Sequence, residues 1–221
     1  MSVNRSNYEK IIGELTPSKT TLVAVSKIKP LSDIQTLYEL GQKDFGENYV
    51  QELIEKAEAL PTDIRWHFIG HLQSNKVKYI APFVHLIQGV DSEKLLAEIN
   101  KQGKKNNRII NCLLQVHIAQ EETKFGFDAD EVSALVNKIT SGGSVFDNVN
   151  ICGLMGMASF SDDMQKVKSE FETLSELYKT LQSSIPSFNT LSMGMSGDYE
   201  LAVECGSNMV RIGSLLFGAR L

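Results

Sequence analysis

Lys27 follows an apolar, β-branched run at residues 21–26, a position that invites amine chemistry. Nonpolar walls around a lysine disfavour its ammonium form and lower its pKa. The neutral amine is then nucleophilic toward an aldehyde. The plainer reading is a solvated lysine at a strand end, like Lys29 two residues on, because most lysines stay exposed. A second group of residues points to an anion. Ser196-Gly197-Asp198 and Gly213-Ser214 set small residues and hydroxyls in two turns, each ahead of a helical segment. Backbone N–H groups in such turns can surround an anion, and a helix start adds its positive end. The alternative is two ordinary turns capped by Ser and Asp. The residues alone leave both choices open.

The elements that must position these groups follow from periodicity. Strand patterns cover residues 21–26, 44–47, 65–69, 84–90, 109–118, 150–155, 188–192 and 209–212. Helical spacing separates them. It is clearest over 162–183, where Phe171, Leu174, Leu177, Tyr178 and Leu181 share a face, and again after Ser92 with Leu95, Leu96 and Ile99. Pro30 with Ser32-Asp33 reads as a helix start, with Gln35 as the partner of a capping box. A helix around residues 8–15 precedes the first strand. Eight strand–helix units with no remainder and no linker predict one domain over 1–221, a (β/α)8 TIM barrel. The Ser141-Gly142-Gly143-Ser144 stretch is expected to be a loop. Barrels of this kind gather reactive residues at the C-terminal ends of their strands. That places Lys27 across the barrel mouth from the two serine–glycine turns.

Composition narrows the function classes. The chain is 42% hydrophobic and 22% charged, enough apolar residue for a sizeable core and too much for disorder. A net charge of -5 with basic residues spread along the chain gives no electrostatic reason to bind nucleic acid. No apolar run reaches the ~18 residues a membrane span requires, and residues 1–14 lack the apolar stretch of a signal peptide. A cytoplasmic location is therefore expected. Cys112, Cys152 and Cys205 show no metal or redox spacing and read as buried thiols in a reducing compartment. No two histidines share a helix face at ligand spacing, so no metal is expected. His67, His85 and His117 are expected within strands as satisfied barrel residues. Glu121, Glu122 and Lys124 are expected to form a solvated cluster near the mouth.

Six segments carry a resemblance to a known family. They are AVSKIKP (24–30), FGENYVQE (45–52), WHFIGHLQSNK (66–76), GLMGM (153–157), LSMGMSGDYELA (191–202) and GSNMVRIGSLLFGAR (206–220). In this order, over almost the whole chain, they resemble the pyridoxal phosphate homeostasis proteins, small barrels similar to the N-terminal domain of alanine racemase. The resemblance implies that Lys27 holds pyridoxal 5'-phosphate as a Schiff base. It places Ser196, Gly197, Gly213 and Ser214 near the phosphate, and Asn48, His71, Met157 and Arg211 around the ring and pocket wall. Arg211 could fork onto the phosphate or face the pyridine nitrogen. The racemases of this fold suggest the second role, in which a permanently charged donor leaves that nitrogen unprotonated and the ring a weaker electron sink. Met155, Met157, Met193 and Met195 could form a soft wall against the ring. Three departures stand out: Ile28 and Asn208 where threonine is commoner, and Ile87-Gln88-Gly89-Val90 in place of the usual His-Ser-Val reading.

The resemblance implies a role in intracellular cofactor homeostasis, as a carrier or reservoir that affects amino- and keto-acid balance indirectly. PLP-dependent apoenzymes are the expected recipients. The alternative is a PLP-dependent amino-acid racemase of low activity. Racemisation needs bases on both faces of the α-carbon. In the two-domain racemases the tyrosine opposite the lysine comes from a separate C-terminal domain of a partner subunit, which this sequence is not expected to carry. Tyr49 and Tyr199, near strand ends, are the candidates to replace it. A cofactor-free aldolase or isomerase using Lys27 on a sugar carbonyl ranks third.

Overall fold

Side chains alternate along each strand of the computed structural model, and this alternation sorts the apolar residues into two cores. The structure describes residues 3–119, 125–142 and 146–218. Among them are eight strands: β1 (Thr21–Val25), β2 (Asp44–Glu47), β3 (Arg65–Phe68), β4 (Leu86–Val90), β5 (Ile110–Val116), β6 (Val149–Gly156), β7 (Thr190–Ser192) and β8 (Met209–Ile212). Each pairs in parallel with the next, and β8 returns to β1 with Val23 level with Arg211, closing the barrel. Val23, Leu86, Leu113, Met155 and Met209 point inward and pack together. Their neighbours Leu22, Ala24, Ile87, Leu114, Leu154 and Val210 point outward, into the larger core beneath the helices. Parallel strands covered on both faces need apolar residues at successive positions, which is why the strands read as continuous apolar runs.

The outer layer comprises α1 (Arg5–Leu15), α2 (Leu31–Glu39), α3 (Val50–Ala59), α4 (Val77–Ile80), α5 (Glu93–Lys105), α6 (Ala129–Thr140), α7 (Met164–Gln182), α8 (Tyr199–Glu204) and α9 (Ser214–Phe217). Phe171 and Leu174 of α7 are fully buried, and each apolar side chain of that size contributes roughly 1.5–3 kcal/mol by leaving water. Ser92 caps α5, its hydroxyl accepting from the Leu95 N–H at 3.3 Å. The cap expected at Ser32 is not formed. Helix α2 already begins at Leu31, with Pro30 at the N-cap and no side-chain cap, and Gln35 donates instead to Glu39. Extended Pro30 carries the chain straight out of the Lys27 turn, so Ser32 falls inside the first helical turn.

His85 and His117 fall outside the strands they were assigned to, and His85 is exposed just ahead of β4. His67 is the buried barrel histidine. Strand β4 loses register between Ile87 and Val90, where a Cβ on Gly89 would sit 2.7 Å from the Gly70 carbonyl oxygen. The three cysteines are free thiols. No helix among the described residues is long and apolar enough to cross a membrane. Glu121, Glu122, Lys124, Gly143 and Ser144 lie outside the described residues.

Candidate functional site

A cavity of about 610 Å3 opens at the C-terminal mouth of the barrel. Its lining includes Lys27, Asn48, Met157, Ser196, Gly197, Arg211, Gly213 and Ser214, eight of the nine residues singled out from the sequence. His71 is the ninth and is not in that lining. Its Nδ1 lies 3.0 Å from Asp91 Oδ2 and its ring stacks on Phe125 at 4.4 Å, in a neighbouring cavity beside Tyr49. The methionine cluster also divides. Met157 and Met195 line the cavity, Met155 packs inside the barrel, and Met193 belongs to the outer core.

Lys27 stands two residues beyond β1, in a turn that the chain adopts under strain. The next residue, Ile28, has φ +63°, a conformation that costs a β-branched side chain energy. A buried ion cluster behind the turn holds it. The Lys56 ammonium donates to the Ser26 carbonyl at 2.7 Å, to Glu47 at 2.8 Å and to Glu52 at 2.6 Å. The Ser26 hydroxyl donates to Glu47, and the strained Ile28 N–H donates to Glu52 at 2.6 Å. Burial pushes the Glu47 carboxyl up against the pull of Lys56, and its Oε2 has no partner. Neither Glu47 nor Lys56 was singled out from the sequence. The available signal was the Glu52/Lys56 pair, one helical turn apart.

The two serine–glycine turns meet beside Lys27 rather than across the mouth from it, because β8 pairs with β1 and Gly213 lies against Val25. The Gly213 N–H donates to Ser196 Oγ at 3.2 Å, and the Met195 N–H donates to Asp198. Gly194 bends the first turn at φ +96°, where a Cβ would sit 2.6 Å from that of Ala202. Helix α9 starts at Ser214, so its first N–H groups precede the helix's own hydrogen bonding. The Asn48 side-chain oxygen, just beyond β2 in the same lining, is buried with no partner among the described residues.

Arg211 rises from the barrel interior and is 4% exposed. Burial lowers its guanidinium to about 10, against the opposing charge of Asp198, and it remains a cation at neutral pH. Nη1 donates to Ser192 Oγ at 2.6 Å and Nη2 to the Gly156 carbonyl at 3.0 Å. The two tyrosines near strand ends are not in the cavity lining. Tyr199 donates to Glu14 at 2.6 Å, with its hydroxyl held above its ordinary range by burial and by that carboxylate. Tyr49 is exposed on the neighbouring cavity. Asn208 joins β7 to the turn before β8, accepting from the Leu191 N–H and donating to the Asn189 carbonyl.

Comparison with known proteins agrees with this geometry. Residues 4–221 match the family model of the alanine racemase N-terminal domain. The pyridoxal phosphate homeostasis protein of Haemophilus influenzae is 39% identical over 204 residues, covering 90% of this chain and 84% of that one. The PipY protein of Synechococcus elongatus, solved with PLP bound, superposes with a TM-score of 0.85 at 32% identity and covers 96% of this chain and 99% of its own. Alanine racemase of Bartonella henselae shares the fold, with a TM-score of 0.70 at 18% identity, and this chain spans 56% of it. The chain belongs to the pyridoxal phosphate homeostasis protein family, within the alanine racemase N-terminal domain group.

Proposed function

We propose that this chain binds pyridoxal 5'-phosphate in the barrel-mouth cavity, as a Schiff base on Lys27, and serves as a carrier or reservoir in intracellular PLP homeostasis. One observation carries the reading: a single cavity is lined by Lys27 and, beside it on the neighbouring strand ends, by the joined Ser196–Gly197 and Gly213–Ser214 turns. An amine beside an anion cup suits a phosphorylated aldehyde. The unpartnered Asn48 oxygen and the buried Arg211 cation add polar groups at the walls, with Met157 as an apolar one. Lys27 would supply the amine that condenses with the cofactor's aldehyde, with release of water. The bound cofactor would supply an electron sink, and Arg211 at the ring nitrogen would weaken it by leaving that nitrogen unprotonated. Tyr49 and Tyr199 do not face the cavity, which favours holding the cofactor over racemising amino acids on it. The free thiols suit the cytoplasm, and PLP-dependent apoenzymes are the recipients this reading requires.

The test is borohydride reduction of the PLP-loaded protein, followed by peptide mass mapping. The pyridoxyl adduct is expected on Lys27 and lost in Lys27→Ala. An adduct on Lys29, or none, would sink the assignment.

A further inference from the structure

Inside the barrel, below the cavity, five side chains from five strands form one hydrogen-bonded file. Arg211 donates to Ser192 Oγ at 2.6 Å, and Ser192 Oγ donates to Gln88 Oε1 at 2.7 Å. Gln88 Nε2 reaches His67 Nδ1 at 3.0 Å, and His67 Nε2 reaches Asp44 Oδ1 at 3.0 Å. All five are buried. At its far end Asp44 is also held in the fork of Arg65, at the opposite mouth of the barrel.

The two ends dictate the direction of every bond between them. Asp44 is an anion at neutral pH and can only accept, so His67 must carry its proton on Nε2. In the neutral imidazole Nδ1 is then an acceptor, which turns the NH2 of Gln88 toward it. That turns the Gln88 carbonyl toward β7, where it accepts the Ser192 proton and leaves the Ser192 lone pairs facing Arg211. Arg211 can only donate. The file therefore has one consistent arrangement, donor to acceptor from cation to anion, and chains of this kind strengthen their members mutually. Reversing a link sets two donors or two acceptors against each other.

We infer that Gln88 and Ser192 are positioning residues for Arg211, the two links of a one-way hydrogen-bond file through the barrel that fix which donors the guanidinium turns toward the cofactor cavity. This rests on the reading that the cavity binds PLP. The position of Gln88 requires a side chain that donates at one edge and accepts at the other. A primary amide does so, and so does a neutral imidazole, whereas an aliphatic side chain of the same bulk does neither.

The experiment compares Gln88→Leu, Ser192→Ala and Gln88→His with the wild-type protein by two readouts. The first needs no cofactor. Imidazole nitrogen NMR should show His67 as the Nε2–H tautomer in the wild type. Ser192→Ala should shift the His67 signals, although Ser192 does not touch His67. The second is PLP affinity together with the pH titration of the bound cofactor's absorbance. Gln88→Leu and Ser192→Ala should weaken PLP binding by about fivefold or more, less than deleting a direct bond to a charged group would, and should move the titration midpoint. Gln88→His should stay near wild type in both. If Gln88→Leu does not fold, the other two variants decide. Unchanged His67 signals, affinity and midpoint in Ser192→Ala would overturn the inference, as would Gln88→His matching the defect of Gln88→Leu. A wild type that binds no PLP would overturn the proposed function and the positioning role with it, while the His67 signals would still show whether the file exists.

Discussion

Two lysines leave the end of β1 within three residues, and their surroundings give them different tasks. Lys29 donates to the Phe217 carbonyl at 2.9 Å and so ties the β1 loop to the end of the chain's last described helix. Both lysines line the cavity, Lys27 beside the joined serine–glycine turns of the anion cup. That cup makes the sharper residue-scale prediction. Ser196 already accepts from the Gly213 N–H, so its hydroxyl proton is directed away from that bond, and Ser214 opens α9 beside it. Each hydrogen bond to a charged group is worth roughly 1.5–3 kcal/mol. Replacing both serines with alanine should therefore weaken PLP binding about tenfold or more, and binding of unphosphorylated pyridoxal much less. Equal losses for the two ligands, measured by fluorescence titration, would remove the cup from the phosphate.

At the scale of elements, the β1–α2 turn is shaped from behind by α3. The three donors of Lys56 are matched by the Ser26 carbonyl and two carboxylates, and its side chain is 5% exposed. Removing one partner of a buried pair typically costs 3–5 kcal/mol, because a charge is left behind without its partner. Protonation of Glu47, already favoured by burial, will absorb part of that cost. Lys56→Met should destabilise the protein by about 3 kcal/mol in urea unfolding, and Glu47→Gln added to it should restore a good part. An additive double variant would show that the cluster is not coupled. This cluster also marks the limit of what the sequence discloses. The strands were legible because apolar runs and helical periods are properties of one segment, and the strand-end rule then located Lys27 and both turns, while Arg211 came from the resemblance. Glu47 and Lys56 meet between a strand and the following helix, and the Asp44-to-Arg211 file crosses five strands. Neither arrangement leaves a period to read. His71 misleads for the same reason, since the resemblance implied a pocket residue while its partner Asp91 comes from the end of the next strand.

Across the whole molecule the two barrel mouths divide stability from binding, as the fold generally does. The barrel-mouth cavity lies at one end, and the Asp44–Arg65–His67 group closes the other. Burial pushes the Asp44 carboxyl up, but hydrogen bonds from Arg65 and His67, with the Arg65 charge, outweigh it and hold the carboxyl at about 2. In the unfolded chain an aspartate titrates near about 3.9. A carboxyl depressed on folding stabilises the native state fully above the unfolded value, and that contribution disappears as the pH falls through the folded one. A shift of this size corresponds to about 2 kcal/mol, lessened by solvent around the half-exposed Arg65. Urea unfolding of the wild type should therefore lose about 1–2 kcal/mol more than Asp44→Asn between pH 5 and pH 2. The variant should start less stable at pH 7 and converge on the wild type in acid. Parallel stability curves would show that Asp44 is not the group responsible. The Asp44→Asn side chain still offers a carbonyl oxygen to His67, so the file toward Arg211 keeps its direction. PLP affinity at pH 7 should then change by less than about twofold, the expected consequence of a stability group and a binding group joined only through His67, Gln88 and Ser192.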